Sequence, residues 1–123
     1  MSEIHNEARY FRLHIQDMID CCQKVLSYTE GLDHEAFNAD TLVYDATLHN
    51  LVLIGEAAVH IPGDTRDAHP EIHWRRFIAT RNRLAHGLSG IDADVIWDVI
   101  RTEVPRLLPE LRNLLNEVNE ASG

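Results

Sequence analysis

Six consecutive residues, Arg81-Asn82-Arg83-Leu84-Ala85-His86, bring a fixed cation, an amide and an imidazole into little more than one turn of helix. At ~100° per residue, Asn82 and His86 stand about 40° apart on one face. Arg81 stands about 140° from His86, but its long side chain can fold back. Gly87 follows directly and is expected to end the helix. That leaves His86 at a C-terminus, where the macrodipole favours a cation. Cleavage of RNA without a metal needs a base for the 2′-hydroxyl, an acid for the leaving 5′-oxygen and a cation for the charge on phosphorus. His86 can be base or acid, Arg81 can supply the charge, and Asn82 can orient the imidazole or the phosphate. One imidazole cannot easily perform both proton transfers in one step. Two copies facing each other across a two-fold axis could, which makes a homodimer with a shared cleft attractive. As bare chemistry the pattern is weak, because helices carrying an Arg, an Asn and a His are common and most are structural.

The placement of charge adds to this more than its total does. The 123-residue chain carries net −9, which alone argues against a polyanionic ligand. Yet no Asp or Glu occurs from Ile72 to Ile91, where Arg75, Arg76, Arg81 and Arg83 give +4 against −13 for the rest. Arg75, Arg76 and Arg83 are therefore candidates to hold a substrate phosphate. The alternative is that these arginines pair with carboxylates on neighbouring helices.

The elements that must position these groups are all helical, since apolar residues recur at spacings of three and four rather than two. A first helix is expected from Asn6 to Thr29, with a stripe through Tyr10 or Phe11, His14, Met18, Cys21 or Cys22, Val25 and Tyr28, stopped by Gly31. After a polar loop, Asn38, Asp40 or Thr41 can cap a second helix from Leu42 to Ile61, apolar over much of its circumference and ended by Pro62-Gly63. A third is expected from Glu71 to His86, followed by a turn at Ser89-Gly90. Asp92 can cap a short fourth helix whose apolar residues are Val95, Ile96, Val99 and Ile100, with Trp97 as its large anchor. Pro105 suits the first turn of a fifth that ends near Val118, and Pro109 predicts a kink or a delayed start. The expected fold is an all-α, up-and-down bundle of four to five helices.

Length fits a single domain over residues 1–123, and 45% apolar residues suffice for a core. No run approaches 18 apolar residues, so no membrane span is expected, and MSEIHNEARYF has no apolar stretch of the kind a secretory signal needs. A cytoplasmic location is expected. Adjacent Cys21 and Cys22 fit small buried side chains better than a disulfide or a zinc site. His69 and His73 have a spacing that can hold zinc, but Pro70 lies between them and no third ligand is evident. Neither a metal nor another cofactor is expected. Glu56 interrupts an apolar run and is expected to be the buried partner of an arginine rather than simply the polar edge of its helix. His14, His49 and His60 fit structural roles, and Trp74 and Trp97 fit core anchors. Trp74 also stands beside the arginines, where it could stack on a base.

Several segments recur in the order and spacing of a known family. These are Leu53-Ile54-Gly55-Glu56-Ala57, Pro70-Glu71-Ile72-His73-Trp74-Arg75, the Arg81–His86 segment, and Gly90-Ile91-Asp92 leading to Val95-Ile96-Trp97. From about Phe11 to Leu111 the chain resembles the HepT-like branch of the HEPN family, toxins encoded beside a minimal nucleotidyltransferase antitoxin of the MntA type. The resemblance implies an all-α bundle, a homodimer with the Arg81–His86 helices at its interface, and metal-independent endoribonuclease activity. It makes Arg81 and His86 the catalytic pair and Asn82 their polar companion. Many relatives carry a tyrosine two residues after the histidine, where the antitoxin adds adenylyl groups. This chain has Leu88 there, which puts that mode of neutralisation in doubt. Two other functions compete: a catalytically weak helical module that binds a nucleotidyltransferase, and a regulatory domain in which Arg81 and Arg83 hold a nucleotide phosphate.

Overall fold

The computed structural model describes residues 2–86 and 92–122, with side chains described over 9–86 and 92–121. Seven α-helices follow in order: α1 (Ser2–Thr29), α2 (His34–Ala39), α3 (Thr41–Val59), α4 (Gly63–Ala68), α5 (Trp74–Ala85), α6 (Ala93–Asp98) and α7 (Val104–Ser122). A π-helical turn, Val99–Glu103, joins α6 to α7. The all-α architecture is the expected one, and no strand occurs among the described residues.

Each start and stop has a local cause. The side chain of Asp33 accepts from the amide of Ala36 at 2.8 Å and opens α2, and Asp40 does the same for Val43 at 3.1 Å to open α3. Gly31 ends α1 at φ +76°, a left-handed conformation that favours glycine. The loop expected between the first two long helices therefore contains a helix, α2, pinned by Phe37 at 1% exposure. Helix α4 was likewise not expected, and α5 starts at Trp74 rather than Glu71 because residues 69–73 form turns. The apolar stripe of α1 runs through Ile15, Met18, Ile19, Cys22 and Val25, while Tyr10 and Tyr28 point outward.

The fourth and fifth expected helices are one run. A proline at 105 cannot donate to the carbonyl of residue 101, and its ring would crowd that carbonyl. The π turn widens the coil there: the amide of Val104 bonds the Val99 carbonyl, five residues back. Pro109 lies inside α7, which continues to Ser122.

Helix α3 packs against both α1 and α5, and α7 packs against α1. Leu51 and Ile54 of α3 belong to a single buried cluster with Ile15 and Val25 of α1, Phe77 of α5, and Leu107 and Leu111 of α7. Of the described helices, α3 alone is long and apolar enough to cross a membrane, but it carries Asp45, His49, Asn50 and Glu56 and packs against both neighbours. Cys21 and Cys22 are free and buried.

Candidate active site

The close packing of α3 on α5 starts at a residue without a side chain. A Cβ on Gly55 would collide with the Cβ of Arg81 and stand 2.7 Å from the Phe77 carbonyl oxygen. Only glycine lets the two backbones approach this far. One residue on, Glu56 leaves α3 directly opposite Arg81. Its Oε1 accepts from Arg81 Nε at 2.8 Å and lies 2.7 Å from one terminal guanidinium nitrogen. The other terminal nitrogen donates to Asn82 Oδ1 at 2.8 Å. Glu56 is thus an arginine's partner, as expected, but the pair is not buried: the side chains are 29% exposed for Arg81 and 43% for Glu56. The guanidinium is held on two sides and still reaches solvent.

His86 caps the C-terminus of α5, its amide bonded to the Asn82 carbonyl at 3.2 Å. It is exposed, and its imidazole has no hydrogen-bond or ion-pair partner among the described residues. Asn82 therefore touches Arg81 through its side chain and His86 through its backbone. The geometry gathers Arg81, Asn82 and Glu56 into one contact group and leaves His86 free at the adjacent helix end. A fixed cation beside an unengaged imidazole can bind a phosphodiester and move a proton. Gly87, Leu88, the Ser89-Gly90 turn and Ile91 lie outside the described residues.

The model of the family described as "Ribonuclease HepT-like" matches residues 18–115. The chain belongs to the HepT-like ribonuclease family. Its enzyme class is accordingly that of a nuclease acting on RNA. It is 30% identical to a probable ribonuclease HepT of Thermococcus cleftensis, over 82% of this chain and 92% of the relative. It is 28% identical to a protein of Methanocaldococcus jannaschii provisionally named an RNase, over 79% and 89% of the two chains. A provisionally named RNase of Caldanaerobacter subterraneus subsp. tengcongensis is 26% identical over 86% of this chain and 95% of its own. No solved structure matches the chain significantly.

The other three arginines between Ile72 and Ile91 of this HepT-like chain divide into two kinds. Arg76 is committed: a terminal nitrogen donates to Asp98 Oδ2 at 2.6 Å, and its Nε lies 3.8 Å from Glu103. Arg75 and Arg83 are exposed and have no ion pair among the described residues. The expected pairing with carboxylates of neighbouring helices therefore holds for Arg76 and for Arg81, and not for Arg75 or Arg83. Sequence reasoning missed Gly55, Asp98 and Glu103. Gly55 stood inside a quoted family segment, and the signal that could have singled it out was a glycine in the middle of an apolar helix.

The histidines near the site are engaged elsewhere. His69 pairs with Glu71 at 2.9 Å and with Glu117 at 3.2 Å, whereas His73 bonds the largely buried Glu103 at 2.9 Å. The bond to His69 holds the exposed Glu71 carboxyl below its ordinary range. His14 and His60 stack with centroids 4.9 Å apart, and His49 is exposed. Trp74 is buried, with its indole N–H donated to the His69 carbonyl at 3.1 Å, so it serves the core rather than a free base.

Proposed function

We propose that the chain is the toxin component of a toxin–antitoxin system, a cytoplasmic homodimer that cuts RNA without a metal at a site shared between two copies of α5. The observation that carries this reading is the clasp of Glu56 and Asn82 on Arg81, one helical turn from an unengaged His86. In the proposed step a base takes the 2′-hydroxyl proton and the 2′-oxygen bonds to phosphorus. The bond from phosphorus to the 5′-oxygen breaks, and an acid protonates that oxygen, leaving a 2′,3′-cyclic phosphate and a 5′-hydroxyl. One His86 acts as base and its counterpart in the second copy as acid, while Arg81 meets the charge on the phosphoryl oxygens. Arg75 and Arg83 are free to hold flanking phosphates, and Arg76 would have to leave Asp98 to join them.

The partner in this reading is a nucleotidyltransferase antitoxin of the MntA type. With Leu88 in place of a tyrosine, it would neutralise the chain chiefly by covering the Arg81–His86 face. The competing reading, a catalytically weak module that binds the same partner or a nucleotide, draws support from Arg81, much of whose hydrogen-bonding capacity is already taken. The two part on one experiment. Purified protein incubated with mixed cellular RNA in excess EDTA should yield fragments ending in 2′,3′-cyclic or 3′-phosphate, and a His86→Ala control should not. Fragments with 3′-hydroxyl ends, or cleavage only on adding Mg²⁺, would sink the mechanism.

A further inference from the structure

At the other end of α5, in front of its first turn, lies a groove of about 590 Å³ lined by Arg66 and Asp67 of α4, Pro70, Ile72, Arg75 and Arg76. That volume falls within the roughly 300–1,000 Å³ of sites that hold a small organic molecule. Its three guanidinium groups face one lining carboxylate. Arg76 is occupied by Asp98 and Glu103. Arg66 and Arg75 have no ion pair among the described residues, and Arg66 Nε is shut off from solvent with no hydrogen bond at all. A covered, charged donor without an acceptor is costly in a native fold, so a small shift of the Arg66 side chain toward a ligand oxygen in the groove would be favoured. The first turn of α5 lacks a side-chain cap, so its end favours an anion as well. Exposed Pro70 and the largely buried Ile72 add apolar lining to the groove.

We propose that this groove is a nucleotide subsite, with a phosphate held between Arg66 and Arg75 and the sugar or base against Pro70 and Ile72. The α5 helix has 12 residues. At 1.5 Å per residue it spans about 18 Å, so the subsite stands well away from His86. Resting on the ribonuclease reading, the nucleotide belongs to the substrate strand, a few positions from the cut. The phosphate contact is indifferent to sequence and serves affinity rather than chemistry.

The test measures binding of a fluorescent single-stranded RNA to the His86→Ala protein across a salt series. Adding Arg66→Gln or Arg75→Gln should weaken binding roughly two- to fivefold for every sequence tried. Each should also lower the slope of log K against log salt by about 0.7, the release expected per phosphate on a single strand. Arg66→Lys, which keeps the charge, should recover most of the slope, an effect that a purely structural role for Arg66 would not give. If Arg66→Gln fails to fold, the exposed Arg75→Gln carries the same measurement. A second arm titrates AMP and inorganic phosphate. AMP binding lost in the glutamine variants, with RNA binding unchanged, keeps the subsite and assigns it to a free nucleotide. Unchanged binding of RNA, AMP and phosphate overturns the proposal, even where the wild type cleaves RNA normally. Absence of RNA binding and cleavage throughout would instead fail the ribonuclease reading, with the AMP arm still reporting on the groove.

Discussion

Arg81 is useful to a phosphoryl transition state only if its guanidinium stays in place, and the bonds from Glu56 and Asn82 hold it there. Arg81→Ala should lower cleavage about 10²- to 10³-fold, the cost of removing a preorganised charge partner. His86→Ala should lower it about 10²- to 10⁴-fold, the usual value of general acid–base help. Both residues are at least partly exposed, so circular dichroism should show the folded content unchanged. Near-full activity in either variant would remove that residue from the assignment, and unfolding of both would make the segment structural. Glu56→Gln separates positioning from support: kcat should fall with KM little changed, while stability moves by no more than about 1 kcal/mol for so exposed a pair. At this scale the sequence was informative about residue type and about Glu56 as an arginine's partner, but silent about which arginine. Arg81, Asn82 and His86 stand close enough in the chain for their chemistry to be legible. That Glu56 chooses Arg81, 25 residues on, and that Arg76 is drawn off by Asp98, 22 residues on, depends on how the helices meet.

The meeting of α3 and α5 is set by Gly55, and with it the height at which Glu56 faces Arg81. Gly55→Ala should destabilise the chain by about 1–3 kcal/mol, because the new methyl must push apart two backbones rather than displace a flexible side chain. A urea melt measures it; a midpoint equal to wild type would mean that the helices tolerate a wider spacing. The long helices were legible because α1, α3 and α5 show amphipathic or continuous apolar patterns over several turns. The short ones were not. Six residues, as in α2 and α4, are too few to express a period, and α2 is fixed by one buried Phe37 and an Asp33 cap. The run from α6 to α7 was misjudged at Pro105, since a proline reads locally as a start. Burial of Val99, Ile100 and Val104 on either side instead keeps the coil continuous through a π turn.

As a whole the molecule is an acidic body with one carboxylate-free stretch that holds four of its ten arginines, with one His86 per copy at an exposed helix end. A cleavage step that needs an acid and a base together then draws two copies toward each other through their α5 ends, which also joins two arginine stretches into one. Self-repulsion of two bodies at −9 opposes this and should make the dimer tighter at higher salt, whereas RNA binding weakens with salt. Light scattering at micromolar concentration should give the mass of two chains, and activity per chain should drop on dilution. The arrangement itself can be probed with His86→Cys, because a disulfide forms only between Cα atoms within about 7 Å. The native thiols give little background: burial leaves Cys22 at 0% exposure and pushes its pKa up to about 12, and burial likewise raises that of Cys21. Mild oxidation of His86→Cys should therefore yield a two-chain band on a non-reducing gel that wild type does not give. A monomeric mass together with no cross-link would defeat the shared site and leave each chain with a single imidazole for both proton transfers.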